Sequence, residues 1–312
     1  MVSDMAFLPA PAPAPILVLS GPGMPGATLA AALGRNPGAF GLPALNLALE
    51  PTLDRYLDTL SGLRAGQMHG LLRLLALRLG GEQTIAAVAM ARRWLMLRAH
   101  LPADRILHEI AALFVPRCIV LPVTTELFDP GAAERLARTW DNAILVQACI
   151  RPHNHATLLM AEAGGAAAVL LGAVRQRGEG PLEPDPESLW LMTDKAVETF
   201  AALSGRPVIP QRIEDLLADP AAELGRLARR LGLPDDADAI AAMSAPQDSP
   251  FAGPGPFGAH LPAGISGLGP LRDSLAAASG STPPPPPPPP PGGGVRGKYS
   301  QRTSGLAVST ST

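Results

Sequence analysis

Residues Ile16 to Leu33 restrict the chain to a narrow set of folds. Ile16-Leu17-Val18-Leu19 is a short, wholly apolar run, the pattern of a strand buried on both faces. Ser20-Gly21-Pro22-Gly23-Met24-Pro25-Gly26 follows as a tight Gly/Pro turn. Beyond it, good helix formers with Leu29 and Leu33 one turn apart predict a helix. A strand, a glycine-rich turn and a helix in this order open an α/β domain. The turn's backbone N–H groups and the helix N-terminus then converge on one spot suited to a phosphate. Gly21, Gly23 and Gly26 allow a ligand to approach the backbone closely. The turn carries no Lys or Arg, although such a loop usually has a cation.

Later segments repeat the strand pattern. Cys118 to Leu121 and Ala143 to Ile150 are again apolar runs, and Pro207-Val208-Ile209 is a shorter one. Helical segments separate them, which predicts a parallel sheet covered on both faces. Asp129-Pro130 and Asp219-Pro220 are N-cap and first-turn pairs that start helices, and Gly232 closes the helix after the second. Residues 66–98 read as two helices with apolar faces, and 104–114 as a third. Phe40 to Leu47 reads as a short strand or an irregular connection, and 175–186 as a polar loop rich in Gly and Pro.

Several residues are candidates for chemistry. Arg151 ends the third apolar run, and ligands in open α/β sheets sit beyond the carboxyl ends of the strands. Glu50 stands where a further helix is expected to begin; it is either a general base facing the loop or a first-turn acid held by the helix dipole. His153 and His155 invite a metal reading, but no carboxylate or cysteine lies near them in sequence, and no metal site is expected.

Charge and composition exclude other classes. Lys and Arg total 25 against 27 Asp and Glu, for a net charge of -2, and the basic residues are scattered. Neither a nucleic-acid surface nor a polybasic membrane patch is expected. Cys118 and Cys149 lie in apolar surroundings and read as buried free thiols in a reducing compartment. Residues 1–15 form a Pro/Ala leader without Lys or Arg, unlike a signal peptide. The apolar stretch 163–174 is too short to span a bilayer. A soluble cytoplasmic protein is the expectation, with a flexible leader at 1–15, one α/β domain over 16–245 and a Gly/Pro-rich, largely disordered tail over 246–312. Within that tail one helix is conceivable near Leu271 to Ala278. The unbroken proline run 283–291 suits polyproline II and a proline-recognising module.

Taken in order, these motifs resemble those of sulfotransferases. Ser20-Gly21-Pro22-Gly23-Met24-Pro25-Gly26-Ala27-Thr28-Leu29 is similar to the family's 5′-phosphosulfate loop, Ser-Gly-x-Pro-Arg-Ser-Gly-Thr-Thr-Leu. Asn36-Pro37 matches the usual end of the first helix. Gly70-Leu71-Leu72-Arg73, Gly81-Glu82-Gln83-Thr84 and Arg93-Trp94-Leu95 resemble the helical insertion of a bacterial branch. Pro116-Arg117-Cys118-Ile119-Val120 resembles the strand before that branch's Glu-Lys-Ser-Pro motif, and Ile144 to Pro152 the strand carrying the 3′-phosphate arginine. Arg212-Ile213-Glu214-Asp215-Leu216-Leu217-Ala218-Asp219-Pro220 with Leu231-Gly232-Leu233-Pro234 resembles the close of the fold.

The resemblance implies a three-layer α/β fold like that of P-loop NTPases, with a central parallel sheet and a helical insertion. It also implies 3′-phosphoadenosine 5′-phosphosulfate (PAPS) as co-substrate, and in-line sulfuryl transfer to a hydroxyl or amine of a small acceptor. The loop positions Gly21, Gly23, Met24, Gly26, Ala27 and Thr28 would lie on the 5′-phosphate, Arg151 and Thr157 on the 3′-phosphate, and Glu50 would be the base. The chain departs from the family at the chemistry. Met24 replaces the loop cation, Pro25 a serine and Ala27 a threonine; Ala44 replaces a glutamate, and Leu121-Pro122-Val123-Thr124 replaces Glu-Lys-Ser-Pro. A degenerate member acting as a binding or assembly partner is therefore the alternative. A P-loop nucleotide kinase is a third reading, weakened by the absence of a Gly-Lys-Ser/Thr ending. On the loop alignment, Met24→Arg should raise nucleotide affinity.

Overall fold

The computed structural model describes residues 13–176, 178–256 and 265–280. The strands are β1 (Ile16–Leu19), β2 (Ala39–Gly41), β3 (Cys118–Val123), β4 (Ile144–Cys149), β5 (Val174–Gln176), β6 (Leu182–Pro184) and β7 (Val208–Arg212). Five of them form a parallel sheet in the order β2-β3-β1-β4-β7. β1 lies between its neighbours with Ile16 level with Val120 on one side and Ile144 on the other. The carboxyl ends of β1, β3, β4 and β7 therefore share one edge, and β1 and β4 flank the point where the chain direction across the sheet reverses.

Helix α1 (Gly26–Gly34) joins β1 to β2. An insertion of α2 (Leu53–Thr59), α3 (His69–Gly80), α4 (Ile85–Met96) and α5 (Ala103–Ala112) precedes β3. Helix α6 (Pro130–Thr139) leads to β4, and α7 (Pro152–Ala161), α8 (Ala166–Leu170) and α9 (Pro186–Ser204) lead to β7. The chain ends its described part with α10 (Ile213–Ala218), α11 (Pro220–Leu231), α12 (Ala237–Met243) and α13 (Leu268–Gly280).

Strand alternation builds the three layers. Ile16 and Val18 of β1, Val120 of β3 and Val146 of β4 share one buried cluster with Leu29 and Leu33 of α1, Leu224 and Leu227 of α11, and Leu271 of α13. Leu17, Leu19, Leu121 and Leu145 point the other way, into a cluster with Leu71 and Leu75 of α3, Ile106 of α5, Leu136 of α6 and Phe200 of α9. Continuous apolar strands are required because both faces are covered.

The helix starts follow local chemistry. Asp129, Asp185 and Asp219 each accept a hydrogen bond from the backbone N–H three residues on, with Pro130, Pro186 and Pro220 in the first turn. The end of α1 is tied to the end of α11: buried Asn36 donates through Nδ2 to the Pro234 carbonyl at 2.7 Å and accepts from the Gly38 N–H at 2.9 Å. Two motifs far apart in sequence thus form one joint.

Three expectations change. The polar loop at 175–186 contains the hairpin β5–β6. Glu50 is not in the first turn of a helix: it follows a short 3₁₀ turn over Leu47–Leu49, and α2 starts only at Leu53. Packed structure also continues past 245, because Phe251, Leu268, Leu271 and Leu275 are buried in the two clusters or against them. The Gly/Pro content hid these anchors, since only an apolar residue every few positions is needed to dock a segment. The leader to residue 12 and the proline run 283–291 lie outside the described residues. No single helix among the described residues is long and apolar enough to cross a membrane.

Candidate functional site

The loop between β1 and α1 sits at the carboxyl edge of the sheet, where an anion cradle belongs. A phosphate there needs outward-facing N–H donors. From Gly21 to Gly26 the donors are spent inside the loop. Gly21 N–H points at Met24 Sδ at 3.4 Å, Met24 N–H donates to Gly21 O at 3.1 Å, and Gly26 N–H to Met24 O at 2.8 Å. Pro22 and Pro25 have no N–H at all. Gly23, with φ +73°, holds the turn. Among the described residues of this loop only its N–H lacks an acceptor, apart from the first-turn donors of α1.

The glycines make room for the protein itself. A Cβ on Gly21 would collide with the Thr193 side chain of α9, and one on Gly26 with Ser20. A Cβ on Gly23 would stand 2.8 Å from the Leu159 backbone of α7. Met24 is 6% exposed and belongs to the cluster that includes Ile150, Ile213, Leu217, Leu268 and Leu271. Thr28 Oγ1 accepts the Ser266 N–H at 3.1 Å, so the segment leading into α13 lies against the start of α1. Pro22 O accepts from His155 Nε2 at 2.9 Å. Burial holds the pKa of His155 below the ordinary histidine value, against the opposing pull of the Pro22 and Pro186 carbonyls. His155 is thus a latch on the loop, and no group of three metal-ligating side chains occurs among the described residues.

The second expected anion position, at the N-terminus of α7, is filled by a carboxylate. Glu214 Oε1 accepts from the Arg151 backbone N–H and from Asn154 Nδ2, both at 2.8 Å. Arg151 is exposed at the N-cap of α7, and its guanidinium has no partner among the described residues. The Thr157 hydroxyl donates to the His153 carbonyl within the same helix at 3.2 Å. Ala27 is half-buried in the first turn of α1. Glu50 accepts from the Thr59 hydroxyl at 2.8 Å, and no hydrogen bond or ion pair joins it to the loop.

Glu126, which the sequence did not single out, is the most perturbed carboxyl. It lies in a 3₁₀ turn just after β3, whose Thr124 Oγ1 meets Ser20 Oγ at 3.2 Å. Glu126 is 2% exposed, and its Oε2 has no hydrogen-bond partner. Burial pushes its pKa up to about 7, against the backbone N–H groups of Glu126, Thr124 and Asn46, which favour the carboxylate. It stands beside Asn46, in the segment where Ala44 replaces the family's glutamate. Burial first, then the Asp194 charge, pushes the Cys149 thiol up to about 11.

A 5′-phosphosulfate needs a cation, several free N–H donors and an open cradle. The loop has no cation, its N–H groups are mostly committed, and the chain buries it. These residues do not fit that group.

No family model and no curated protein matches the chain. Solved structures do. The sulfotransferase domain from the curacin biosynthetic pathway superposes with TM-score 0.65 at 19% identity, over 88% of this chain and 93% of that one. The sulfotransferase domain from the Synechococcus PCC 7002 olefin synthase gives TM-score 0.58 at 20% identity, over 75% and 77%. At such identity the likeness speaks for architecture, and it agrees with the motif order along the sequence. The chain has the sulfotransferase fold.

Proposed function

We propose that this is a sulfotransferase-fold protein that has lost sulfuryl transfer and serves as a binding or assembly partner. The observation that carries the proposal is the internal saturation of the β1–α1 loop. Met24 supplies an acceptor where the family has a cation, and the Ser266 N–H takes up the Thr28 hydroxyl oxygen. Removing one charge-assisted donor from a site that stabilises developing charge costs about 3 kcal/mol, or about two orders of magnitude in rate. This loop lacks several such groups at once. Incubation of the protein with PAPS and a panel of small alcohols, phenols and amines, followed by mass spectrometry, is expected to show no sulfated product and no PAPS consumption above buffer. Enzyme-dependent formation of one sulfated acceptor would reject the proposal.

A second reading keeps the activity: transfer from PAPS to a hydroxyl or amine of a small metabolite. What favours it is Arg151, whose exposed guanidinium at the carboxyl end of β4 is free to meet a phosphate. In that reading α13 must move off the loop before nucleotide enters, and the same assay decides between the two.

A further inference from the structure

Helices α3 and α4 border an open cavity of about 290 Å³ whose walls include Leu72, Ile85 and Val88 and whose polar side chains are His69, Arg73 and Arg92. Among the described residues no Asp or Glu lines it. We propose that this cavity binds a medium-chain monocarboxylate, its apolar chain between the helices and its carboxylate between His69 and Arg92. The inference does not rest on how the β1–α1 loop is read, since the two sites have no residue in common.

Two observations carry it. The cavity is apolar with a few convergent polar groups, and its size is at the lower end of small-molecule sites, roughly 300 Å³ upward. Its charges are unmatched. Arg73 is buried and donates only to neutral acceptors: Gln83 Oε1, the Gly253 carbonyl at 3.2 Å and the Pro250 carbonyl at 3.5 Å. Arg92 has no hydrogen-bond or ion-pair partner among the described residues. A carboxylate in the cavity thus meets a positive potential.

Arg92 also borders a second cavity of about 550 Å³, lined by Leu57, Leu60, Met68 and Met96 and, on its acidic side, by Asp54 and Asp58. Ile85, 58% exposed, stands at the rim of the first cavity as an apolar residue facing water. The two acids repel a carboxylate from the second cavity and direct it to the first. A longer chain has apolar wall to follow past Arg92.

Calorimetry on the intact protein with hexanoate, octanoate and 1-octanol tests the site. Saturable 1:1 binding of octanoate is expected, with affinity rising about fourfold per added methylene from hexanoate. The alcohol is expected to bind at least tenfold more weakly, and Arg92→Gln to weaken octanoate tenfold or more. Arg92 is exposed, so the variant is expected to fold, and an unchanged thermal midpoint verifies it. Absence of saturable heat with octanoate, equal affinity for octanol, or unaltered binding in a folded Arg92→Gln protein would each overturn the assignment.

Discussion

Met24→Arg is expected to lower the unfolding free energy by about 3–5 kcal/mol, the range for an unpaired charge forced into an apolar site. By family alignment the same substitution restores a missing loop cation and should help. In the folded chain, however, Met24 is 6% exposed, and its sulfur takes the Gly21 N–H. Around it the shared cluster offers Ile150, Ile213, Leu217, Leu268 and Leu271, all apolar. The conservative control is Met24→Leu, which keeps volume and apolarity, loses only the weak sulfur acceptor and is expected to cost less than about 1.5 kcal/mol. Urea unfolding of the three proteins compares them directly. An Arg variant as stable as the Leu variant would mean that the loop is open to solvent, contrary to its burial.

The second large effect is a stability that falls as pH rises. Glu126 has its pKa raised from 4.5 to about 7 in the folded chain, so between these values the folded protein holds a proton that the unfolded chain has released. Where the native state binds more protons, unfolding free energy decreases with pH. The favourable contribution of protonated Glu126 is thus present below pH 4.5 and is lost as pH rises to about 7. The difference amounts to about 3 kcal/mol. Glu126→Gln removes the ionisation while keeping the shape. The variant is expected to match the parent near pH 4.5 and to exceed it by about 2–3 kcal/mol at pH 8, with the slope between those limits largely gone. Denaturant titrations at several pH values measure both curves. A parent slope that survives in the variant would assign the pH dependence to other groups.

Much of this architecture was legible in the sequence because its causes are local. Apolar runs at Ile16–Leu19, Cys118–Leu121 and Ala143–Ile150 announce strands covered on both faces, and the strands lie at Ile16–Leu19, Cys118–Val123 and Ile144–Cys149. Asp-Pro pairs mark helix starts, since the aspartate satisfies a free N–H and proline needs none. The Asn36 and Leu231–Pro234 motifs were visible one by one, but their union through the Pro234 carbonyl is a tertiary contact.

What stayed hidden depends on burial and on long-range packing. Met24 read as a cation gone missing, yet a loop holding one methionine, two prolines and no charge also fits a buried apolar joint. Glu126 sits in a polar-looking run, Thr124-Thr125-Glu126, and nothing local foretells that the 3₁₀ turn folds it inward beside Asn46. His155 suggested a metal pair with His153, but a histidine's partner can be any carbonyl the fold brings near, here that of Pro22. Glu214 belongs to a motif that marks the close of the fold, and only the pairing of β4 with β7 brings it to the N-terminus of α7.

The β1–α1 loop is proposed to be a closed joint and no longer a nucleotide cradle. Titration of the intact protein with 3′-phosphoadenosine 5′-phosphate, followed by calorimetry, tests it most directly. No saturable heat is expected up to millimolar nucleotide. A 1:1 isotherm in the micromolar range that is lost in Arg151→Ala would contradict it and restore the transferase reading.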